Sequence, residues 1–257
     1  MPAFPFASAL VTGASSGIGE EITRQLGAAG IPVTIVARRR DRLEALAADL
    51  GDCEVLTADL ETDEGQAAVA ARIVDNDRPV ELVVNNAGFG VGGTFHELTV
   101  ERLAAEIEVN VAALTRLSHA ALAVMVPRQR GWLLNVSSVA GFQPAPRAAV
   151  YAATKAYVTS LTESLHEEVK GRGVNVTALC PGFTRTEFQQ VSNTAGSHSS
   201  VPSFAWTSVD EVAAAGLRDV VRGRALCVPG PLYKALAAAS GVTPRWALRL
   251  ASSTVRH

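Results

Sequence analysis

The strongest structural signal in the chain is the stretch Thr12-Gly13-Ala14-Ser15-Ser16-Gly17-Ile18-Gly19. It follows a short apolar run, Ala9 to Val11, and it leads into a segment where Ile18, Ile22 and Leu26 recur at every fourth position. The apolar run predicts a buried strand, and the spacing of the three later residues predicts an amphipathic helix. The glycines therefore lie in the turn between a first strand and a first helix.

Short apolar runs and longer helical patterns alternate along the rest of the chain. The other runs that predict strands begin at Val33, Glu54, Leu82, Leu133, Val174 and Ala225. Uninterrupted apolar runs suit parallel strands that are covered on both faces, and the helical patterns between them suit right-handed crossovers. No linker or repeat divides the pattern. The sequence thus predicts an α/β fold, in which residues 1–257 form a single-domain, doubly wound, Rossmann-like parallel sheet with helices on both faces.

Two segments depart from this alternation. Residues 187–208 are polar, rich in serine and without a clear period, which predicts a mobile loop over the substrate. The tail, residues 231–257, resumes a helical pattern in which Arg245, Arg249 and Arg256 share one stripe beside an apolar arc. That arc can pack on the protein's own body or on a neighbouring subunit, or it can make a weak peripheral contact with an anionic membrane.

Composition and charge exclude several functions. The formal net charge of -2 gives no electrostatic footprint for nucleic acid. Cys53, Cys180 and Cys227 are widely spaced and the histidines are scattered, so we expect neither a disulfide nor a metal site. The longest uninterrupted apolar run, Ala120 to Val126, is too short to cross a membrane, and Met1 to Phe6 lacks the basic start of a signal peptide. We therefore expect a cytoplasmic protein without a metal.

The glycine-rich turn suits a dinucleotide. Glycine lets the backbone approach a pyrophosphate closely, and the N-terminus of the following helix offers unpaired N–H groups to phosphate oxygens. The glycine spacing differs from the commoner GxGxxG pattern, and an ordinary tight turn would also explain such a stretch. Its position directly after the first strand favours the dinucleotide. The expected cofactor contacts in this turn are Gly13, Ser15, Ser16, Gly17, Ile18 and Gly19.

The end of the second predicted strand indicates which dinucleotide is bound. The strand runs into Ala37-Arg38-Arg39-Arg40, with no acid at its tip. NAD-binding proteins usually place Asp or Glu here for the ribose 2′-hydroxyl, whereas a cation suits the 2′-phosphate of NADP. A guanidinium pairs strongly with phosphate. We therefore expect NADP(H) as the cofactor, with Arg38 and Arg39 as its ligands, although three arginines also suit the solvated start of a helix.

A tyrosine and a lysine are spaced for acid/base chemistry. Tyr151 and Lys155 are four residues apart, which places them one turn apart on the same helix face. A free phenol has a pKa near ~10 and is a poor base at neutral pH. A nearby ammonium favours the phenolate and lowers that pKa, so that the phenol can exchange a proton with a substrate oxygen. Such a pair is frequent by chance, and its context has to decide.

Six motifs occur together and in a fixed order in this chain. They are the glycine-rich turn, Asn85-Asn86-Ala87-Gly88, Asn110, Ser137-Ser138, the Tyr151/Lys155 pair and Pro181-Gly182. Together they resemble the short-chain dehydrogenase/reductase family, and the resemblance covers Ala7 to Gly230. Because each motif alone is weak, their joint occurrence is what makes the resemblance specific.

The resemblance implies roles for four residues. Tyr151 resembles the general acid/base, and Lys155 the lysine that lowers the tyrosine pKa and binds the nicotinamide ribose. Ser138, rather than Ser137, resembles the serine that orients the substrate oxygen. Asn110 resembles the asparagine that holds a water of the proton relay behind the lysine. Further residues that the resemblance assigns to the cofactor, besides Tyr151 and Lys155, are Asp59, Leu60, Asn86, Ala87, Gly88, Pro181, Gly182, Thr184 and Thr186.

The resemblance also implies an activity and a state of assembly. We expect an NADP(H)-dependent oxidoreductase that transfers a hydride between nicotinamide and a carbonyl or secondary alcohol, and that forms a homo-oligomer, either a dimer or a tetramer. Two alternatives stay open, a dehydratase- or epimerase-like variant on the same scaffold and a non-catalytic NADPH-binding sensor or regulatory module. Apolar side chains near the expected site suggest a lipophilic ketone or aldehyde as substrate. They are Phe89, Val91, Phe142, Phe188, Phe204 and Trp206.

Overall fold

Seven parallel strands form the sheet of the computed structural model, which describes residues 4–188 and 202–253. The strands in chain order are β1 (Ala9–Thr12), β2 (Val33–Ala37), β3 (Cys53–Thr57), β4 (Leu82–Asn85), β5 (Gly131–Val136), β6 (Val174–Leu179) and β7 (Leu226–Cys227). Their spatial order is β3-β2-β1-β4-β5-β6-β7. From β1 the chain adds β2 and β3 on one side of the sheet, and it then crosses back to add β4 to β7 on the other side. The predicted doubly wound parallel sheet is confirmed.

Helices cover both faces of the sheet. On one face lie α1 (Gly17–Ala28), α2 (Arg40–Leu50) and α7 (Val209–Val221). The other face carries α3 (Asp63–Ile73), α4 (Val100–Ile107), α5 (Leu114–Arg128) and α6 (Ala149–Glu168). After β7 the chain continues with α8 (Pro231–Val242) and α9 (Arg245–Ser253).

The two faces form separate hydrophobic cores, and each strand contributes to both. In β1, Ala9 and Val11 belong to the core under α1, α2 and α7, whereas Leu10 belongs to the opposite core. Successive side chains of a strand point to opposite faces, so a strand covered on both sides must be apolar at every position. This requirement explains the uninterrupted apolar runs of the sequence.

A continuous helix runs from Val100 to Arg128 and includes a π turn at Glu108–Ala113 between α4 and α5. By length and composition it is apolar enough to cross a membrane, which a search for uninterrupted apolar runs does not predict. Half of its apolar stretch is buried, and it packs on α3, β4 and β5. The core helix of a soluble fold has these properties.

The structure describes only parts of the two segments that depart from the regular pattern, the loop 187–208 and the tail 231–257. Residues 189–201 lie outside the described residues, so most of the predicted loop 187–208 cannot be compared with the structure. The tail forms α8 and α9 as far as Ser253. Trp246 and Leu250 on α9 are each 61% exposed, so the body of the same chain leaves much of their surface uncovered.

Candidate active site

The predicted site residues follow four neighbouring strands at the carboxyl edge of the sheet. The glycine-rich turn follows β1, Asn86 to Gly88 follow β4, Ser137 and Ser138 follow β5, and Pro181 to Thr186 follow β6. Because all strands are parallel, these segments meet at one edge. That edge, where the strand order reverses between β1 and β4, is the usual ligand site of a doubly wound sheet.

Backbone geometry explains the glycines of the turn. Gly13 and Gly17 have φ angles of 67° and 59°, a left-handed conformation that glycine adopts without strain. At Gly19, a Cβ would collide with Nδ2 of Asn86. The Asn86 amide donates hydrogen bonds to the carbonyl oxygens of Thr12 and Gly13, at 2.9 and 3.3 Å. Asn86 therefore holds the turn from the β4 side.

Arg39 reaches back over this turn. Its guanidinium donates to the hydroxyls of Ser15 and Ser16, both at 3.0 Å for Nη2. Ser16 precedes α1, but its side chain does not accept a hydrogen bond from the first N–H groups of that helix. Arg38 points elsewhere, because its Nη1 lies 2.7 Å from a carboxylate oxygen of Glu61. Of the two predicted arginines, the structure brings only Arg39 to the glycine-rich turn.

An acidic residue that the sequence did not single out also contacts this region. Glu187 accepts hydrogen bonds from Arg39 at 3.0 Å and from Arg42 at 2.7 Å. These two arginines hold the pKa of the Glu187 carboxyl below its usual value, with Arg42 contributing most. Arg39 and Arg42 are three residues apart and therefore share a helix face, a signal that could have placed Arg42 beside Arg39. Nothing local in the sequence indicates Glu187.

The residues expected to flank the adenine lie between β3 and α3. Leu60 is buried, with 6% of its surface exposed. The Asp59 carboxylate accepts a hydrogen bond from the Glu61 amide at 3.0 Å, and it lies 3.9 Å from Arg38. Asp59, Glu61 and Arg38 thus form one exposed charged group at this end of the sheet.

The Tyr151/Lys155 pair is fixed to the end of β5. Lys155 is 4% exposed, and its Nζ donates a 2.8 Å hydrogen bond to the carbonyl of Val136 while lying 5.7 Å from the centre of the Tyr151 ring. The hydroxyl of Ser137 donates to the carbonyl of Lys155 at 2.7 Å. The Ser138 hydroxyl accepts a hydrogen bond from the Ala140 amide at 3.2 Å, and its interaction with the phenol lowers the pKa of Tyr151. Ser137 thus attaches α6 to the sheet, and Ser138 faces the phenol.

Asn110 lies in the π turn and connects three elements. Its Oδ1 accepts a hydrogen bond from the Phe89 amide at 3.1 Å, and its Nδ2 donates to the Phe89 carbonyl at 2.8 Å and to Oγ1 of Thr154 at 3.1 Å. Helix α6, the π turn and the segment after β4 are therefore joined through one buried carboxamide. A π turn within a longer helix often occurs at a functional site.

Burial sets the proton affinities of the pair. Burial raises the pKa of Tyr151 to about 12, against a smaller lowering by the hydrogen bond with Ser138. Burial also lowers the pKa of Lys155 to about 8. The role expected of Lys155, which is to lower the tyrosine pKa, stays a prediction, and the burial of the phenol acts in the opposite direction. A phenol in this state is a proton donor at neutral pH.

The segment after β6 packs over the glycine-rich turn. A Cβ on Gly17 would lie 3.1 Å from Cγ2 of Thr186. Thr184 is buried, and its hydroxyl donates to the carbonyl of Gly182 at 3.2 Å. Tyr233 of α8, a residue that the sequence did not indicate, lies directly against Gly182 and accepts a hydrogen bond from the Phe183 amide at 3.1 Å. Tyr233 thus packs against this segment from the side of α8.

The predicted apolar pocket is only partly assembled. Phe188 lies beside Tyr151, with 5.3 Å between the ring centres. Phe142 instead packs in the small core that contains Tyr233. Phe204 is 78% exposed, and Trp206 packs against Phe183 with 5.7 Å between ring centres. Among the described residues, no group of three or more histidine, cysteine or acidic side chains is arranged to hold a metal.

Fold and site together define a dinucleotide-dependent oxidoreductase, and comparison with known proteins gives the family. The model of the short chain dehydrogenases matches residues 7–196. An NADP-dependent 3-hydroxy acid dehydrogenase of Salmonella typhi is 38% identical over 187 residues, which cover 71% of this chain and 75% of that protein. The chain belongs to the short-chain dehydrogenase family, as its motifs predicted.

Solved structures agree with this assignment. A short-chain dehydrogenase from Sphingobium yanoikuyae in complex with NADPH matches with a TM-score of 0.83 and 34% identity, over 92% of this chain and 94% of that one. The bulky-bulky ketone specific alcohol dehydrogenase from Comamonas testosteroni matches with a TM-score of 0.77 and 28% identity, over 93% and 96% of the two chains. None of these comparisons supports a non-catalytic module.

Proposed function

We propose that this protein is an NADP(H)-dependent oxidoreductase that reduces lipophilic ketones or aldehydes, or oxidises the matching secondary alcohols. The observation that carries the proposal is the placement of Tyr151, Ser138 and Lys155 beside the glycine-rich turn at one edge of the sheet. A protein that only senses the cofactor would need the turn but not the acid/base groups.

The residues around the turn fit a dinucleotide. At Gly17 the positive φ and the close approach of Thr186 both favour glycine, as in a turn that brings its backbone close to a pyrophosphate. The N-terminus of α1 and the Arg39 guanidinium supply N–H donors on the same side. When bound, the cofactor supplies or accepts the hydride. Gly13 to Gly19 would hold the phosphates, and Lys155 the nicotinamide ribose.

The chain's own residues supply the proton. In the reduction, the phenol of Tyr151 donates its proton to the carbonyl oxygen, and the hydroxyl of Ser138 hydrogen-bonds the same oxygen as charge develops on it. Lys155 keeps its position through the carbonyl of Val136, and Asn110 binds Thr154, the residue next to Lys155 in the chain. The tyrosine would regain its proton from this side. Burial raises the pKa of Tyr151 to about 12, so the phenol carries the proton that reduction requires.

The preference for NADP(H) has independent support. Ala37 ends β2 without a carboxylate, and Arg39 lies over Ser15 and Ser16, where a ribose 2′-phosphate would meet it. The Salmonella typhi relative is named as NADP-dependent, and the Sphingobium yanoikuyae structure contains NADPH. The lipophilic substrate is supported by the Phe188 ring beside Tyr151 and by the ketone specificity named for the Comamonas testosteroni enzyme.

One experiment tests the activity and its alternatives. The absorbance of NADPH is followed with a panel of bulky ketones, small ketones, aldehydes and acyl thioesters, with NADH as the comparison. We expect turnover of bulky ketones with NADPH and at least tenfold lower kcat/KM with NADH, since a lost charge-assisted pair costs about 1.5–3 kcal/mol. Binding of NADPH without any turnover would favour the sensor, and equal use of NADH would contradict the cofactor assignment.

We also propose that the protein acts in the cytoplasm as a homo-oligomer, either a dimer or a tetramer. Cys180 and Cys227 are buried free thiols, as a reducing compartment allows. An open apolar groove on the outer surface of α4 and α6 is lined in part by Ile107, Val150 and Ala153, a surface suited to a second subunit. Size-exclusion chromatography with light scattering tests this, and a monomer at micromolar concentration would contradict it.

The exposed face of α9 has two candidate partners, a neighbouring subunit and an anionic membrane. We favour the subunit, because one short amphipathic helix binds membranes only weakly. Removal of residues 240–257 then lowers the oligomer size and leaves liposome binding absent in both forms. Sedimentation of the intact protein with anionic liposomes, lost in the truncated form at unchanged oligomer size, would assign α9 to the membrane.

A further inference from the structure

A buried carboxyl group lies behind the catalytic pair and has no part in the mechanism above. Glu106, on the last turn of α4, is 0% exposed. Its Oε2 accepts a 3.2 Å hydrogen bond from the Val91 amide, and its Oε1 is buried without a hydrogen-bond partner among the residues that the structure describes. A buried carboxyl with only one such contact is costly, so its presence calls for a reason.

Glu106 shares a task with Asn110. The two residues are four apart on the same helix, and they bind alternate residues of one backbone segment, Asn110 at Phe89 and Glu106 at Val91. The segment 88–91 thus has two side-chain anchors from one helix face.

That segment lies in direct contact with the catalytic residues. A Cβ on Gly88 would lie 2.8 Å from Oδ1 of Asn110 and 3.5 Å from Nζ of Lys155. A Cβ on Gly90 would lie 3.0 Å from Cδ2 of Tyr151. The backbone therefore touches both members of the pair without space for a side chain, and a shift of the segment would move the surface on which Tyr151 rests.

We propose that Glu106 is a positioning residue of the active site, which holds the segment 88–91 against Tyr151 and Lys155 and places an ionisable group behind them. Lys155 and Tyr151 on α6 and Arg102 on its own helix are the charged and titratable groups that interact with it. Burial raises the pKa of Glu106 to about 7, against smaller lowering by the Val91 hydrogen bond, Lys155 and Arg102.

The sign of its effect on the pair follows from its charge. Above neutral pH the carboxylate is ionised, and a negative charge disfavours the phenolate and favours the ammonium. Accordingly, Glu106 raises the pKa of both Tyr151 and Lys155. In the neutral isostere the phenolate should form at lower pH. A residue with a purely structural role would leave that titration unchanged.

The test uses Glu106→Gln, Glu106→Met and, as the matched control, Glu101→Gln, which removes an exposed carboxylate from the same helix. Phenolate formation is followed by ultraviolet difference titration, with Tyr151→Phe as the reference that isolates the Tyr151 signal. The Gln variant keeps an oxygen for the Val91 amide, and we expect its Tyr151 titration to move to lower pH by roughly half a pH unit or more. Glu101→Gln should titrate like the parent protein.

Steady-state kinetics test the positioning itself. This part rests on the proposed function, because it needs turnover. We expect the rising limb of kcat/KM against pH in alcohol oxidation to move to lower pH in Glu106→Gln, with kcat kept within a fewfold. In Glu106→Met the Val91 amide loses its acceptor. We expect kcat for ketone reduction to fall roughly ten- to a hundredfold while the NADPH affinity stays unchanged, because a small displacement of catalytic groups has an effect of this size.

Each part can fail by itself. A Tyr151 titration of Glu106→Gln that coincides with that of Glu101→Gln would overturn the electrostatic part, and a parental kcat in Glu106→Met would overturn the positioning part. If the Met variant does not fold, the pH profile of the Gln variant still decides the electrostatic part. Because the difference titration needs no substrate, absence of turnover in the parent protein would refute the proposed function without affecting this result.

Discussion

The two halves of the site differ in their exposure to water. We call the glycine-rich turn with Arg38 and Arg39 the phosphate half, and Tyr151, Lys155, Asn110 and Glu106 the catalytic half. In the phosphate half the side chains of Arg38 and Arg39 are 59% and 40% exposed and are paired with acids. In the catalytic half Lys155 is 4% exposed and Asn110 is 1% exposed, and their partners are mostly backbone atoms.

This difference determines how strongly each half responds to change. Exposed ion pairs contribute about 0–1 kcal/mol, because water competes for both partners. A buried polar atom that loses its partner costs about 1–3 kcal/mol, because no water replaces it. We therefore expect single substitutions to lower stability strongly in the catalytic half and only slightly in the phosphate half, where their main effect should be on cofactor affinity. Four predictions test this comparison, beginning with the largest effect.

Tyr151→Phe removes one oxygen and should lower kcat by roughly 10²- to 10⁴-fold, the usual contribution of a general acid. The ring remains to pack against Phe188, so the NADPH dissociation constant should change little. Turnover and NADPH fluorescence titration measure the two quantities separately. A variant that keeps the parental kcat on an accepted substrate would remove Tyr151 from the mechanism.

Asn110→Ala leaves the amide and carbonyl of Phe89 without their side-chain partner. We expect the free energy of unfolding to fall by about 2–4 kcal/mol in urea denaturation, together with a loss of kcat, since the segment beside Tyr151 loses an anchor. Asn175→Ala is the control, because Asn175 donates to the carbonyls of Val220 and Val221 away from the site. It should lose stability but keep kcat. Equal kcat losses in the two variants would contradict the special role of Asn110.

Arg39→Ala should weaken NADPH binding by roughly ten- to a hundredfold and leave NADH binding nearly unchanged, since it removes a charge-assisted contact to the 2′-phosphate. Arg38→Ala serves as the comparison, because in the structure Arg38 binds Glu61 instead. Isothermal titration with both dinucleotides measures the four affinities. A larger loss with Arg38→Ala would show that the two arginines exchange places when the cofactor binds.

Glu187→Gln should give the smallest effect and the opposite sign. Glu187 neutralises Arg39 and Arg42, so its removal should tighten NADPH binding by roughly two- to fivefold, the scale of an exposed ion pair. Glu44→Gln is the matched control, since it breaks the exposed pair with Arg40 outside the site. Weaker NADPH binding in Glu187→Gln would mean that Glu187 supports Arg39 rather than competing for it.

Much of the fold follows from the sequence because its causes are local. The apolar runs predicted all seven strands to within about two residues at each end, since a strand buried on both faces has to be apolar throughout. The π turn around Asn110 was not predicted, because the extra residue in that turn depends on how the helix meets the segment after β4.

The sequence alone determined the doubly wound fold, the family and the candidate catalytic residues. Each of these features depends on residues that are close together in the sequence: the glycines of the turn, the apolar runs of the strands, and a Tyr/Lys pair one helical turn apart. Only the tertiary structure decided that Arg39 rather than Arg38 lies over the turn, that Tyr233 supports Gly182, and that Glu106 is buried behind Tyr151. Those contacts join residues that are far apart in the chain. The burial that raises the pKa of Tyr151 arises only once the helices have packed on the sheet.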